Sequence, residues 1–167
     1  TEQSKKYGLD IIGLGVHATF FDYDKDGDLD CYLLSNSIRS VGNYDLIKDQ
    51  RDKATDKGNK FLRNDNDFFV DITKEANIYS SAIGFGLGIT VSDYNNDTWP
   101  DIFVSNDFFE RDYLYLNQQD GTFKEKLTEQ FESISMGSMG VDAADLNNDS
   151  KTDIMVTEML PKTIQRQ

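Results

Sequence analysis

Cysteine is all but missing from this chain. Cys31 stands alone among 167 residues, so no disulfide closes within them, and a single thiol says nothing of compartment. It falls where a buried strand residue belongs, and an inert thiol is expected. Histidine also occurs once, as His17, which removes a histidine cluster as a metal site or catalytic centre. Placed in a strand just ahead of an acidic loop, His17 is expected to be packed or hydrogen-bonded. No apolar run approaches the roughly 20 residues of a membrane span. Basic residues number 17 against 30 acidic ones, and the net charge of −13 opposes nucleic-acid binding, which depends on Lys and Arg neutralising phosphates.

Acidic residues are abundant, and they recur in one arrangement. The chain reads Asp22-Tyr23-Asp24-Lys25-Asp26-Gly27-Asp28-Leu29-Asp30, then Asp93-Tyr94-Asn95-Asn96-Asp97-Thr98-Trp99-Pro100-Asp101, then Asp145-Leu146-Asn147-Asn148-Asp149-Ser150-Lys151-Thr152-Asp153. Positions 1, 3, 5 and 9 carry Asp or Asn in every copy, and an apolar run follows each. Asp, Asn and Gly favour turns on their own account. Acids alternating through a tight turn are nonetheless costly without a counter-ion. Two like charges about 4 Å apart repel by about 1 kcal/mol in water and about 4 at an effective dielectric of 20. A hard cation reverses the sign. Ca²⁺ takes roughly six to eight oxygens at about 2.3–2.6 Å from carboxylates, amide and backbone carbonyls and water. Three divalent ions add six positive charges and would take −13 to −7.

Position 12 separates these loops from an EF-hand, which needs a bidentate Glu there and helices on both sides. Here it is Leu33, Val104 and Val156, inside runs of strand composition. Dockerin-like loops fail in the same way, and disulfide-stapled calcium repeats fail for want of cysteine. The loops are therefore expected at the tight ends of β-hairpins. Phe20-Phe21 and Thr90-Val91-Ser92 lead in, while Cys31-Tyr32-Leu33-Leu34 and Ile102-Phe103-Val104-Ser105 lead out. Position 6 is Gly27 in the first copy but Thr98 and Ser150 in the others. If a left-handed backbone is required, each of those costs roughly 1–2 kcal/mol. The second and third loops also carry Asn at position 3, one carboxylate fewer each. Loop 22–30 is therefore expected to bind most tightly.

The repeating unit is longer than the loop. Lys60-Phe61-Leu62-Arg63-Asn64 aligns with Tyr113-Leu114-Tyr115-Leu116-Asn117, and each stretch is followed by a second turn, at Asn66-Asp67 or Asp120-Gly121-Thr122. Glycines precede each acidic loop: Gly13 and Gly15, then Gly84, Gly86 and Gly88, then Gly137 and Gly140. A dinucleotide fingerprint would need a helix next, whereas a strand and an acidic loop follow. These glycines are expected to let strands approach closely. Four short strands per unit describe a β-propeller blade. The fold class is all-β, with blades of four antiparallel strands forming a partial propeller of about two to three blades. We place repeats at about 13–78, 84–131 and 137–167 within one domain over 1–167, with an insertion at 37–58 and a short helix at 45–54. A propeller uses roughly four to eight blades, so the partner expected first is the remainder of a longer ring.

The Asp-x-[Asp/Asn]-x-Asp-x-x-x-Asp loops, Phe85-Gly86 ahead of one of them, and Asp-Ile-Phe-Val-Ser-Asn at 101–106 resemble FG-GAP/VCBS repeats, the calcium-loop blades of integrin α-chain propellers and many bacterial surface proteins. The opening at 15–24 (Gly-Val-His-Ala-Thr-Phe-Phe-Asp-Tyr-Asp) and Met159-Leu160-Pro161 resemble a narrower group, the ASPIC/UnbV-associated proteins related to cartilage acidic protein. The resemblance implies up to three Ca²⁺. Side chains of Asp22, Asp24, Asp26 and Asp30 would hold the first ion. Asp93, Asn95, Asp97 and Asp101 would hold the second, and Asp145, Asn147, Asp149 and Asp153 the third. Position 7 (Asp28, Trp99 and Lys151) would contribute a backbone carbonyl. It further implies a non-enzymatic module for protein or glycan binding and adhesion, at a cell surface or secreted. The competing readings are a calcium-dependent polysaccharide-cleaving enzyme, or a structural support for one. Nearly every clustered carboxylate is already assigned to metal, so no catalytic residue is named. Tyr113, Tyr115 and Phe123 are expected to pack blades rather than to form a sugar platform.

Overall fold

The computed structural model describes residues 1–36, 50–51, 53–108, 110–135 and 137–158. After a single 3₁₀ turn at Ser4–Tyr7, the described chain is built of strands. β1 (Gly15–Phe21), β2 (Asp30–Ser35), β3 (Lys60–Asn64) and β4 (Phe69–Asp71) form one antiparallel sheet in sequential order. β5 (Gly86–Ser92), β6 (Asp101–Asn106), β7 (Tyr113–Asn117) and β8 (Phe123–Glu125) form a second. A short helix α1 (Leu127–Gln130) leads to β9 (Ser138–Ala144) and β10 (Asp153–Glu158), which pair as a third. The protein is thus all-β, with three antiparallel sheets that do not close into a barrel among the described residues, the architecture of a partial propeller. The insertion at 37–58 and the helix expected over 45–54 fall largely outside the described residues, as does Met159-Leu160-Pro161.

The first hairpin of every sheet holds one acidic loop. In the first two sheets its register is the same: Phe21 pairs with Asp30 and Ser92 with Asp101 directly across the loop. Both ladders slip near the other end, between Gly15 and His17 and between Gly86 and Gly88. β9 and β10 slip at the matching place.

Strand composition is explained by what lies on each side. All six residues of β6 are buried, because the second sheet is sandwiched between the other two. Alternate residues face opposite ways. Ile102, Val104, Tyr113 and Tyr115 join Phe21, Tyr23, Tyr32, Leu34 and Phe61 in a core shared with the first sheet. Phe103 and Leu114 turn to Leu127, Val141, Ile154 and Val156 on the third-sheet side. Tyr113, Tyr115 and Phe123 are sheet-packing residues, 2% exposed or less.

The glycines of β5 sit at these contacts. A Cβ on Gly86 would stand 2.2 Å from Leu34 Cδ1, and one on Gly88 would stand 2.8 Å from Ser105 Oγ and 3.0 Å from the Val141 backbone nitrogen. The first two are closer than a Cβ sits in practice and the third is tight, so a side chain at either glycine would force a neighbour to move. β1 has no such cover: it is exposed from Gly15 through Ala18. His17 is consequently solvent-exposed on β1, a correction to the packed position expected of it. Cys31 is buried, and burial pushes its thiol up to about 11.

Candidate metal centre

Each acidic loop folds around its own side chains by one hydrogen-bond scheme. The position 5 N–H donates to Oδ1 of position 1, at 3.1 Å in Asp26 to Asp22, 3.0 Å in Asp97 to Asp93 and 3.1 Å in Asp149 to Asp145. The position 6 N–H reaches the other oxygen of the same carboxylate from Gly27, Thr98 and Ser150. The position 5 N–H also meets the position 3 side chain, Asp24, Asn95 or Asn147. Position 7 (Asp28, Trp99, Lys151) donates its N–H to Oδ1 of position 5. These bonds wrap the backbone over the carboxylates. The wrapping forces a left-handed backbone twice per loop, at Lys25, Asn96 and Asn148 and again at Gly27, Thr98 and Ser150. Thr98 and Ser150, at φ 73 and 66, therefore carry the strain that Gly27 avoids.

Position 9 ties the loop to the sheet. Asp30 Oδ2 accepts the Tyr23 N–H at 3.1 Å, and its Oδ1 accepts the Asn64 N–H from β3 at 2.9 Å. Asp101 repeats this with Tyr94 at 2.9 Å and Asn117 of β7 at 2.8 Å. Asp153 accepts from Leu146 at 3.0 Å, and no third strand of its sheet is among the described residues. Asp30 and Asp101 are 1% and 0% exposed. Burial pushes both carboxyls up to about 6, against the pull of these N–H donors and with help from neighbouring acids.

The first loop is the most crowded with charge. Carboxylate oxygens of Asp22, Asp24 and Asp30 lie within 4.8 Å of one another, the one such group of acids among the described residues. Asp24 is raised by burial and then by Asp26. In the other loops Asn95 Nδ2 donates to Asp97 Oδ2 at 3.0 Å and Asn147 Nδ2 to Asp149 Oδ2 at 3.2 Å, so a hydrogen bond replaces that repulsion. Asp28 Oδ1 is buried without a partner, and burial followed by Asp26, Asp24 and Asp22 raises its carboxyl. An all-oxygen donor set with surplus negative charge and an orphaned carboxylate oxygen fits a hard cation.

Sequence reasoning aligned Asn64 with Asn117 but assigned neither a place in the site. Nor did it find Lys25, whose Nζ lies 3.2 Å from Thr98 Oγ1 and 4.4 Å from the centre of the Trp99 ring. The recurrence of Asn at one point of both repeats was the available signal for the first pair. Nothing in the sequence marks the second.

Residues 93–156 match the family model of the FG-GAP-like repeat. Over that stretch, from the first acid of the second loop into β10, the chain is an FG-GAP-like repeat of a propeller module. No curated protein matches the chain.

Proposed function

We propose that this chain is a non-enzymatic, calcium-binding propeller module that engages a protein or glycan partner at a cell surface or in secretion. The observation that carries the calcium reading is the gathering of Asp22, Asp24 and Asp30 oxygens within 4.8 Å, in a loop whose bonding scheme recurs twice more. Side chains at positions 1, 3, 5 and 9 would hold each ion. Bound calcium would neutralise the loop acids and lock the hairpin tips. Loops of this kind suit extracellular calcium, where modules bind at about 10⁻⁴–10⁻³ M. The narrower likeness to ASPIC/UnbV-associated proteins, carried by residues 15–24 and 159–161, belongs to this reading.

The non-enzymatic part is supported by what the remaining side chains do. Cys31 is buried with its thiol shifted up, His17 stands alone in solvent, and the clustered acids are committed to the loops. For a partner, a groove of about 800 Å³ opens where β3 and β4 meet β8, lined by Lys60, Asp71, Lys74, Tyr79 and Lys124. Paired charges around a tyrosine suit a polar ligand such as a peptide or sugar.

Thermal unfolding with and without millimolar Ca²⁺ tests the reading. Ion binding to the folded state raises the melting temperature by mass action, and EDTA reverses the rise. No shift overturns the calcium assignment.

A further inference from the structure

We propose that Asn117 is a positioning residue that couples the first two acidic loops, so that calcium in one raises the affinity of the other. This rests on the calcium reading above, and the coupling follows from the geometry of one side chain. Asn117 ends β7 and is 3% exposed. Its Nδ2 donates to the Tyr23 carbonyl in the first loop at 2.9 Å, across the junction of two sheets, and to the Pro100 carbonyl in the second at 3.3 Å. Its backbone N–H holds Asp101. Its Oδ1 accepts the Gln119 N–H at 2.9 Å, and Gln119 Nε2 donates to Asp97 Oδ2 at 3.2 Å. One buried residue thus touches the backbone of loop 22–30 through its side-chain amide while holding two acids of loop 93–101, Asp101 through its main-chain N–H and Asp97 through the amide oxygen and Gln119.

Asn64 provides the contrast. It holds Asp30 through its N–H and the Leu29 carbonyl through Nδ2 at 3.3 Å, but its Oδ1 has no partner, and no bond from it crosses between sheets among the described residues. The crossing is specific to Asn117. Lys25 makes a second bridge, from position 4 of the first loop to Thr98 and Trp99 of the second.

The direction of coupling follows from order. An ion that fixes loop 22–30 fixes the Tyr23 carbonyl, which fixes the Asn117 amide and with it the acids that a second ion needs already placed. Ordering done at the first site is not required again at the second, and the effect is reciprocal. Repulsion between the ions opposes it. That term is weakened because four carboxylates surround the first ion and salt screens what remains.

Trp99 is the only tryptophan and lies in the second loop; because Lys25 of the first loop stands over its ring, every titration is run in a Lys25→Ala background, in which its emission reports the second loop. Calcium is titrated at about 0.15 M salt into the chain and into Asp24→Ala, which disables the first loop. The expected result is a midpoint at Trp99 moved to at least about fivefold higher calcium. Asn117→Ser keeps the backbone N–H but removes the amide. In that background Asp24→Ala should move the midpoint less than twofold, whereas in Asn64→Ser the full shift should persist. Without calcium, Asn117→Ser should also speed amide exchange over residues 23–25. A Trp99 midpoint indifferent to Asp24→Ala, or moved to lower calcium, overturns the coupling while leaving the calcium reading intact. A full shift retained in Asn117→Ser overturns the role of Asn117. No calcium response by emission or calorimetry overturns the calcium reading itself.

Discussion

The first and second sheets are built alike and buried differently. β1 and β5 take the same place in their sheets, pair with β2 and β6 in the same register and slip at the same point. Yet Val16 and Phe20 of β1 are 45% and 50% exposed, while Ile89 of β5 is 5% exposed. β5 packs against both β1 and β9, whereas the described residues cover β1 from one side. The loops divide along the same line. The bonds from their backbone N–H groups to their own acids recur in all three copies, including the exposed third, and the loops differ only in the Asn-to-Asp side-chain bond of the second and third. The residue at position 2, by contrast, goes from 3% exposed at Tyr23 through half-buried Tyr94 to 62% exposed at Leu146. Loop conformation is local chemistry. Burial is supplied by the next sheet.

The sharpest way to break this comparison is to cut the same position in two copies. Tyr23 packs 4.9 Å from the Phe61 ring and 6.1 Å from the Phe123 ring. Tyr23→Ala is expected to cost about 3–5 kcal/mol in chemical unfolding, and Leu146→Ala less than about 0.5. Equal costs would mean that Tyr23 is not held between the first and second sheets by Phe61 and Phe123.

Acid comes next. Asp30 and Asp101 titrate at about 6 in the folded chain against about 3.9 unfolded. The folded form therefore binds protons more readily, and its metal-free stability rises as pH falls from about 6 towards 4, by the order of 2 kcal/mol for each group. If calcium binds as proposed, the expected sign in its presence is the opposite, because protons would displace the ion through the same window. Denaturant midpoints at pH 7 and pH 5, in EDTA and in calcium, check both signs.

A smaller contrast separates the two asparagines. Asn117→Ser loses a buried bond between sheets and should cost about 1–2 kcal/mol in EDTA, while Asn64→Ser should cost under about 0.5. Smallest is a gain. Ser150→Gly relieves a left-handed residue and should stabilise by up to about 1 kcal/mol after the entropy of glycine is deducted, read as a raised midpoint. Gly27→Ala, at φ 98, should move it the other way.

Hairpin placement of the loops was legible because it depends on short-range patterns: acids at fixed spacing, then Leu33, Val104 and Val156 where an EF-hand would carry Glu. The left-handed turn at position 6 was legible from Gly27, and Thr98 and Ser150 adopt it at a cost. The bond from Asn117 to Tyr23 was not legible, because it spans 94 residues and depends on how two sheets meet. His17 was misplaced for a related reason. A strand's composition shows that it can be covered, not whether a neighbour covers it.

The glycines of β5 have a consequence for how closely the sheets meet. At two points where β5 meets its neighbours the side chain is a hydrogen atom, Gly86 against Leu34 and Gly88 against Val141, while two strands away Tyr113 and Tyr115 fill the shared core. The two glycines thus let β5 come close to a neighbour on either side, while larger side chains fill the contact along β7. A methyl group at Gly88 would press on Ser105 and on the Val141 backbone, and one of the two strands would have to move.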